Sequence, residues 1–97
     1  MQDISPAKLD EAIGPLLKER GVGRAYLFGS HARGEAKSDS DIDILISLNK
    51  PIGLFAFVRL EREASDILGA KVDLVTEEFL SPYIRQEVNS EKKLIYA

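Results

Sequence analysis

The sequence predicts an α/β (α+β) fold, a small mixed β-sheet flanked by helices. Three observations predict it. Segments of helical and of strand periodicity follow one another along the chain. Residues 41–48 alternate cleanly, with Ile42, Ile44, Ile46 and Leu48 on one face and Asp41, Asp43, Leu45 and Ser47 on the other. Residues 54–68 carry the best helical pattern. The resulting order, helix, strand, loop, strand, helix, strand, helix, is that of a sheet with helices packed against it.

Ser5-Pro6 is a helix start, an N-cap followed by proline at the first helical position. Leu9, Ile13, Leu16 and Leu17 then recur at helical spacing, and Gly14-Pro15 is expected to kink this helix or divide it in two. Gly21 ends it, and residues 24–28 form a short apolar strand running directly into Gly29. The connection from there to the strand at 41–48 is about a dozen residues, which permits either relative direction. Residues 49–53 form a turn. In the helix that follows, Leu54, Phe57, Val58, Ala64, Ile67 and Leu68 form the apolar stripe and Gly69 the stop. Residues 71–75 make a third strand. Thr76-Glu77-Glu78 and Ser81-Pro82 both read as helix starts, the second leading through Ile84 and Val88. Leu94-Ile95-Tyr96 forms a short edge strand or packs down. The aromatics Phe55, Phe57 and Phe79 read as core.

The 97 residues, with no linker or repeat, are expected to form a single domain, 1–97. Hydrophobic residues at 44% against 30% charged place the chain among globular proteins rather than disordered ones. A net charge of -3 argues against direct nucleic-acid binding, which needs a basic footprint. The absence of cysteine excludes disulfides and thiolate metal sites. No apolar run approaches the roughly 20 residues that span a bilayer. The start, Met1 to Pro6, lacks the basic and apolar regions of a signal peptide, so a cytoplasmic protein without membrane contact is expected.

The chemistry concentrates in Gly29-Ser30-His31-Ala32-Arg33-Gly34 and Ser40-Asp41-Ile42-Asp43. Asp41 and Asp43, two apart on a strand, emerge on the same face, and carboxylates so close repel unless a cation or proton sits between them. Alone, such a pair is more often a solvated strand edge. Here the opposite face is wholly aliphatic, which fixes the register. Asp73 also interrupts an otherwise apolar strand, where an unpaired charge is costly. Hard divalent cations take oxygen ligands, and three carboxylates on neighbouring strands can hold two Mg²⁺ about 3.5–4 Å apart for phosphoryl displacement. Asp41 and Asp43 would bridge the ions, and Asp73 would complete the catalytic one and accept the proton of the incoming hydroxyl. A strand that turns at Gly29-Ser30 into a short helical segment presents backbone N–H groups to phosphate. Ser30 and Ser40 add hydroxyl donors, and Arg33 suits either a phosphate oxygen or a site carboxylate. The lone His31 sits on the rim without a chemical role, Asp39 is loop charge, and Lys92-Lys93 is tail charge.

Together Gly29-Ser30-x-Ala32-Arg33-Gly34, Ser40-Asp41-Ile42-Asp43 and Asp73 resemble the nucleotidyltransferase superfamily related to DNA polymerase beta. The short length makes the chain similar to its minimal nucleotidyltransferase (MNT-domain antitoxin) branch. The resemblance covers essentially the whole chain. It implies a mixed sheet flanked by helices, with a nucleoside triphosphate (ATP) and two Mg²⁺ at its open face. Asp41, Asp43 and Asp73 match the metal-binding triad, and Gly29, Ser30 and Ser40 match the triphosphate-contacting positions. It further implies a HEPN-domain toxin as partner, neutralised by binding and by AMP transfer from ATP onto a toxin tyrosine. Two other readings stand beside this one. One is a non-catalytic antitoxin that occludes its partner, and the other is a small-molecule nucleotidyltransferase borrowing its acceptor site from a homodimer.

Overall fold

A computed structural model describes residues 4–37 and 39–97; the first three residues, part of the segment weighed above for a leader, lie outside it. The first helix, α1 (Pro6–Glu19), starts as expected, with Ser5 Oγ accepting the Lys8 amide at 3.3 Å. Gly14-Pro15 does not divide it: α1 runs through Pro15 as one helix of 14 residues. Proline removes a single backbone donor, whereas Leu9, Ile13 and Leu17 are all fully buried, so packing outweighs the missing bond. Gly14 lies against Asp10 and near the Tyr96 ring, 4.0 Å from where a Cβ would stand. Gly21, at φ +82°, lets the chain leave the helix.

Four strands follow: β1 (Val22–Phe28), β2 (Ile42–Leu48), β3 (Val72–Thr76) and β4 (Lys93–Tyr96). Between them lie α2 (Ser30–Arg33), α3 (Leu54–Leu68), a 3-10 turn (Glu77–Phe79) and α4 (Pro82–Glu91). The sheet has the order β3-β2-β1-β4. β1 is antiparallel to both β2 and β4, and β2 is parallel to β3. The sheet is therefore mixed, and α3 is the crossover that a parallel pair requires. Strand direction between β1 and β2, open from the sequence, is settled as antiparallel, so the end of β1 and the starts of β2 and β3 meet at one end of the sheet.

One sheet face packs on α1 and α3 through Ala25, Leu27, Ile42, Ile44 and Ile46. The other carries a smaller cluster, Leu45, Leu80 and Val88, with Tyr26, Phe28 and Val75 against it, so α4 covers only part of that face. On α3 the buried side chains are Leu60, Ala64 and Leu68. Leu54, Val58 and Ile67, expected in the stripe, are exposed, and so are Phe55 and Phe79 (88% and 82%); Phe57 alone of those three aromatics packs on the core. The helix turns its Leu60, Ala64 and Leu68 line to the sheet, and beside that line Glu61 and Ser65 reach β3. Glu61 Oε2 accepts the Leu74 amide and Ser65 Oγ the Val72 amide, each at 2.9 Å. Among the described residues no helix is long and apolar enough to cross a membrane.

Candidate active site

The register of the sheet builds the site. Phe28 lies opposite Asp43 across β1 and β2, and Asp43 lies opposite Asp73 across β2 and β3. Residues in register point to the same face, here the one α4 partly covers. The side chains of Glu61 and Ser65 satisfy the outer edge of β3 on either side of Asp73, so its strand position is clamped by α3. The start of β2 is tied to β3 by the Ile42 amide, which donates to the Lys71 carbonyl at 2.9 Å.

Asp43 is half-buried and its carboxyl is pushed above the usual carboxylate range. Burial is the larger cause, followed by the charges of Asp73 and Asp41, with His31 and Arg33 pulling the other way. A carboxylate crowded in this manner is one that a cation relieves. Asp41 instead faces Lys71, 3.6 Å away in a solvent-exposed ion pair. Among the described residues no three acidic or histidine side chains are gathered closely enough to enclose an ion. The structure thus brings Asp43 and Asp73 together and leaves Asp41 beside them, held by a lysine. The donor set, carboxylate oxygens alone, suits a hard divalent cation, for which Asp41 would exchange its Lys71 partner.

Gly29 joins β1 to α2 and is buried against Asp43. Its backbone, at φ +75° and ψ -154°, lies in a region essentially reserved for glycine. A Cβ there would collide with the Asp43 carboxylate. Ser30 opens α2, and Gly34, in the left-handed conformation, closes it. Arg33 donates through Nε to Glu35 at 3.0 Å and through Nη1 to Glu91 at 3.2 Å, and these bonds favour its charged form. Of its two expected uses, Arg33 therefore has carboxylate partners, but neither is a site aspartate.

Ser40 and His31 find partners within the loop that leads into β2. Ser40 Oγ accepts the Lys37 amide at 2.8 Å and so shapes the loop. His31 Nε2 lies 3.4 Å from the Ser40 carbonyl, bracing α2 against the approach to β2. Both line a cleft of about 780 Å³ with Leu27, Ile42 and Lys37 at this end of the sheet, and none of the three aspartates borders it. Glu91 belongs to no motif of the sequence; only the return of α4 to the sheet brings it to Gly29. Lys92, read as tail charge, rests over the Tyr26 ring, 4.3 Å from its centroid.

The nucleotidyltransferase domain family matches residues 9–95. A Methanocaldococcus jannaschii protein assigned to the protein adenylyltransferases is 46% identical over 83 residues, covering 84% of this chain and 83% of that one. The protein adenylyltransferase MntA of Thermococcus cleftensis is 44% identical over 73 residues, 74% of each chain. Among solved structures, a minimal nucleotidyltransferase superposes with a TM-score of 0.79 at 34% identity, covering 96% of this chain and 98% of that one. A toxin-antitoxin crystal structure determined with AMP-PNP gives 0.79 at 28% identity, covering 91% of this chain and 73% of the other. With the family match running over nearly the whole chain and the fold in agreement, the chain belongs to the nucleotidyltransferase family, in its minimal, protein-adenylyltransferase branch.

Proposed function

We propose that this chain, acting as one minimal domain over residues 1–97, transfers AMP from ATP to a tyrosine hydroxyl of a HEPN-type toxin and thereby acts as its antitoxin. The observation that carries the reading is the in-register pair Asp43 and Asp73 beside the glycine-only turn at Gly29. The names of the relatives, MntA among them, and the likeness to a toxin-antitoxin structure determined with AMP-PNP support it.

In this reading Asp41, Asp43 and Asp73 hold Mg²⁺, two ions at full occupancy, whose chemistry is to offset charge on the triphosphate. Gly29, Ser30 and Arg33 seat the phosphates, with Arg33 exchanging the exposed Glu35 for a phosphate oxygen while it keeps Glu91, and Ser40 shapes the loop that closes the site. The acceptor oxygen bonds to the α-phosphorus while the bond to the β-phosphate breaks and pyrophosphate leaves. The hydroxyl proton passes to the exposed carboxylate of Asp73. Large exposed apolar residues, Phe79, Tyr83 and Ile84, offer surface to a protein partner near the start of α4.

The test is labelling. Radioactive ATP with Mg²⁺ and the partner protein should label the partner, and Asp41→Asn should abolish the label while still binding it. A folded Asp41→Asn variant that neutralises the partner in cells would instead favour occlusion without catalysis. Activity on a small molecule by a homodimer, with no second protein, would replace the proposal with the third reading.

A further inference from the structure

Helix α4 ends at the same end of the sheet as the aspartates. Its last residue makes contacts that none of the sequence motifs accounts for. Glu91 Oε1 accepts the Gly29 amide at 3.2 Å, although 62 residues separate the two. Both Glu91 carboxylate oxygens lie 3.2 Å from Arg33 Nη1. The Glu91 side chain is largely shielded, at 17% exposure, whereas Arg33 is open at 42%. One carboxylate therefore ties together two of the groups that flank Asp43. The bond to the Gly29 amide is charge-assisted and partly buried, the strong kind, whereas the Arg33 pair is solvent-exposed and serves to fix direction.

The carboxylate is itself held from both sides. Before it, Val88 packs α4 onto Leu45 of β2. After it, Lys92 covers the Tyr26 ring, and Lys93 opens β4 in register with Leu27 of β1. Glu91 thus stands on a rigid corner, and what it grips is the more adjustable partner. Gly29 has no side chain to restrain its peptide, and the Arg33 fork has an alternative partner in exposed Glu35. Without Glu91 the Gly29 amide would lose its side-chain acceptor, and the guanidinium would keep only the exposed Glu35. Small displacements of groups that position a reactant are costly to its binding and reaction.

We propose that Glu91 is a positioning residue for the nucleotide site. It orients the Gly29 turn and the Arg33 guanidinium so that both meet the triphosphate in one geometry. The inference rests on the nucleotide-binding reading above. Glu91 touches no reacting atom and acts only through Gly29 and Arg33.

The experiment compares the full-length wild type with Glu91→Ala and Glu91→Gln. Each is titrated with AMP-PNP in Mg²⁺, with the acceptor protein added in a second series, and with Mn²⁺ alone. Glu91→Ala should weaken AMP-PNP binding about tenfold or more, the usual range for groups that orient ligands, while Mn²⁺ affinity stays within about twofold. Glu91→Gln keeps an oxygen that accepts the Gly29 amide, so it should recover most of the loss. AMP-PNP affinity unchanged in Glu91→Ala would overturn the proposal and leave the nucleotide reading intact. Tighter binding would also overturn it, by showing that the carboxylate competes with phosphate. A parallel fall of nucleotide affinity, Mn²⁺ affinity and melting temperature in both variants would reduce Glu91 to a structural strut. A wild type that binds no nucleotide, alone or with the acceptor, removes the underlying reading and this inference with it.

Discussion

Asp43 concentrates the electrostatics of the site. Burial, then Asp73 and Asp41, raise its pKa, so the folded state holds this proton more tightly than the unfolded chain does. Its ionised form therefore destabilises the metal-free fold above the raised pKa. That contribution fades as pH falls through the raised value toward the ordinary carboxylate range. Asp43→Asn in EDTA at neutral pH should leave the melting temperature unchanged or raise it by about 1–4 °C, and should flatten this acid-side rise in stability. A clear fall in melting temperature would mean that the carboxylate supports the fold. Gly29 makes the opposite prediction. Gly29→Ala puts a Cβ into the Asp43 carboxylate in a conformation that strains other residues by about 1–3 kcal/mol. Chemical denaturation should show a loss of at least that size, and AMP transfer should disappear. Of these residue-scale features, the aspartates and the glycine were legible because their chemistry needs fixed spacings in sequence. Glu91 was not, since its partners lie 62 and 58 residues away.

At the scale of elements, caps and periodicity carried far. Ser5 and Ser81 cap the helices they were expected to cap, and α3 spans the expected residues, 54–68. Periodicity was weaker on orientation. The expected stripe of Leu54, Phe57, Val58, Ala64, Ile67 and Leu68 covers about half of the helix circumference; the structure buries its middle, Ala64 and Leu68 together with Leu60 and part of Phe57, and leaves Leu54, Val58 and Ile67 at its edges exposed. The reading of Phe55 and Phe79 as core failed for a related reason, because an aromatic side chain does not say which way its helix is turned. Pro15 offers a clean test, being exposed inside a continuous helix. Pro15→Ala restores a backbone donor there and should stabilise the protein by about 1–3 kcal/mol, within the known penalty for interior proline. No gain in urea denaturation would show that the helix already absorbs the proline by a local bend.

For the whole molecule, ligand linkage gives the most direct check. If Mg²⁺ and ATP bind the folded state alone, AMP-PNP at about 100 times its dissociation constant adds about 2.7 kcal/mol of stability. In a domain of this size that corresponds to about 10 °C or more in melting temperature, and EDTA should remove most of it. A thermal scan that does not move under those conditions would count against a nucleotide site in the isolated chain.

The sequence by itself determined the class of fold, the four places where strands could form and the candidate residues for phosphate and cation chemistry. These are properties of local pattern: alternation, capping, and chemical type at short spacing. Only the tertiary structure decided that β1 runs antiparallel to β2, that Asp43 faces Asp73 while Asp41 pairs with Lys71, and that α4 returns to set Glu91 against Gly29. Strand direction and long-range contact follow from how one sheet buries two unequal faces at once, and no short segment holds that information.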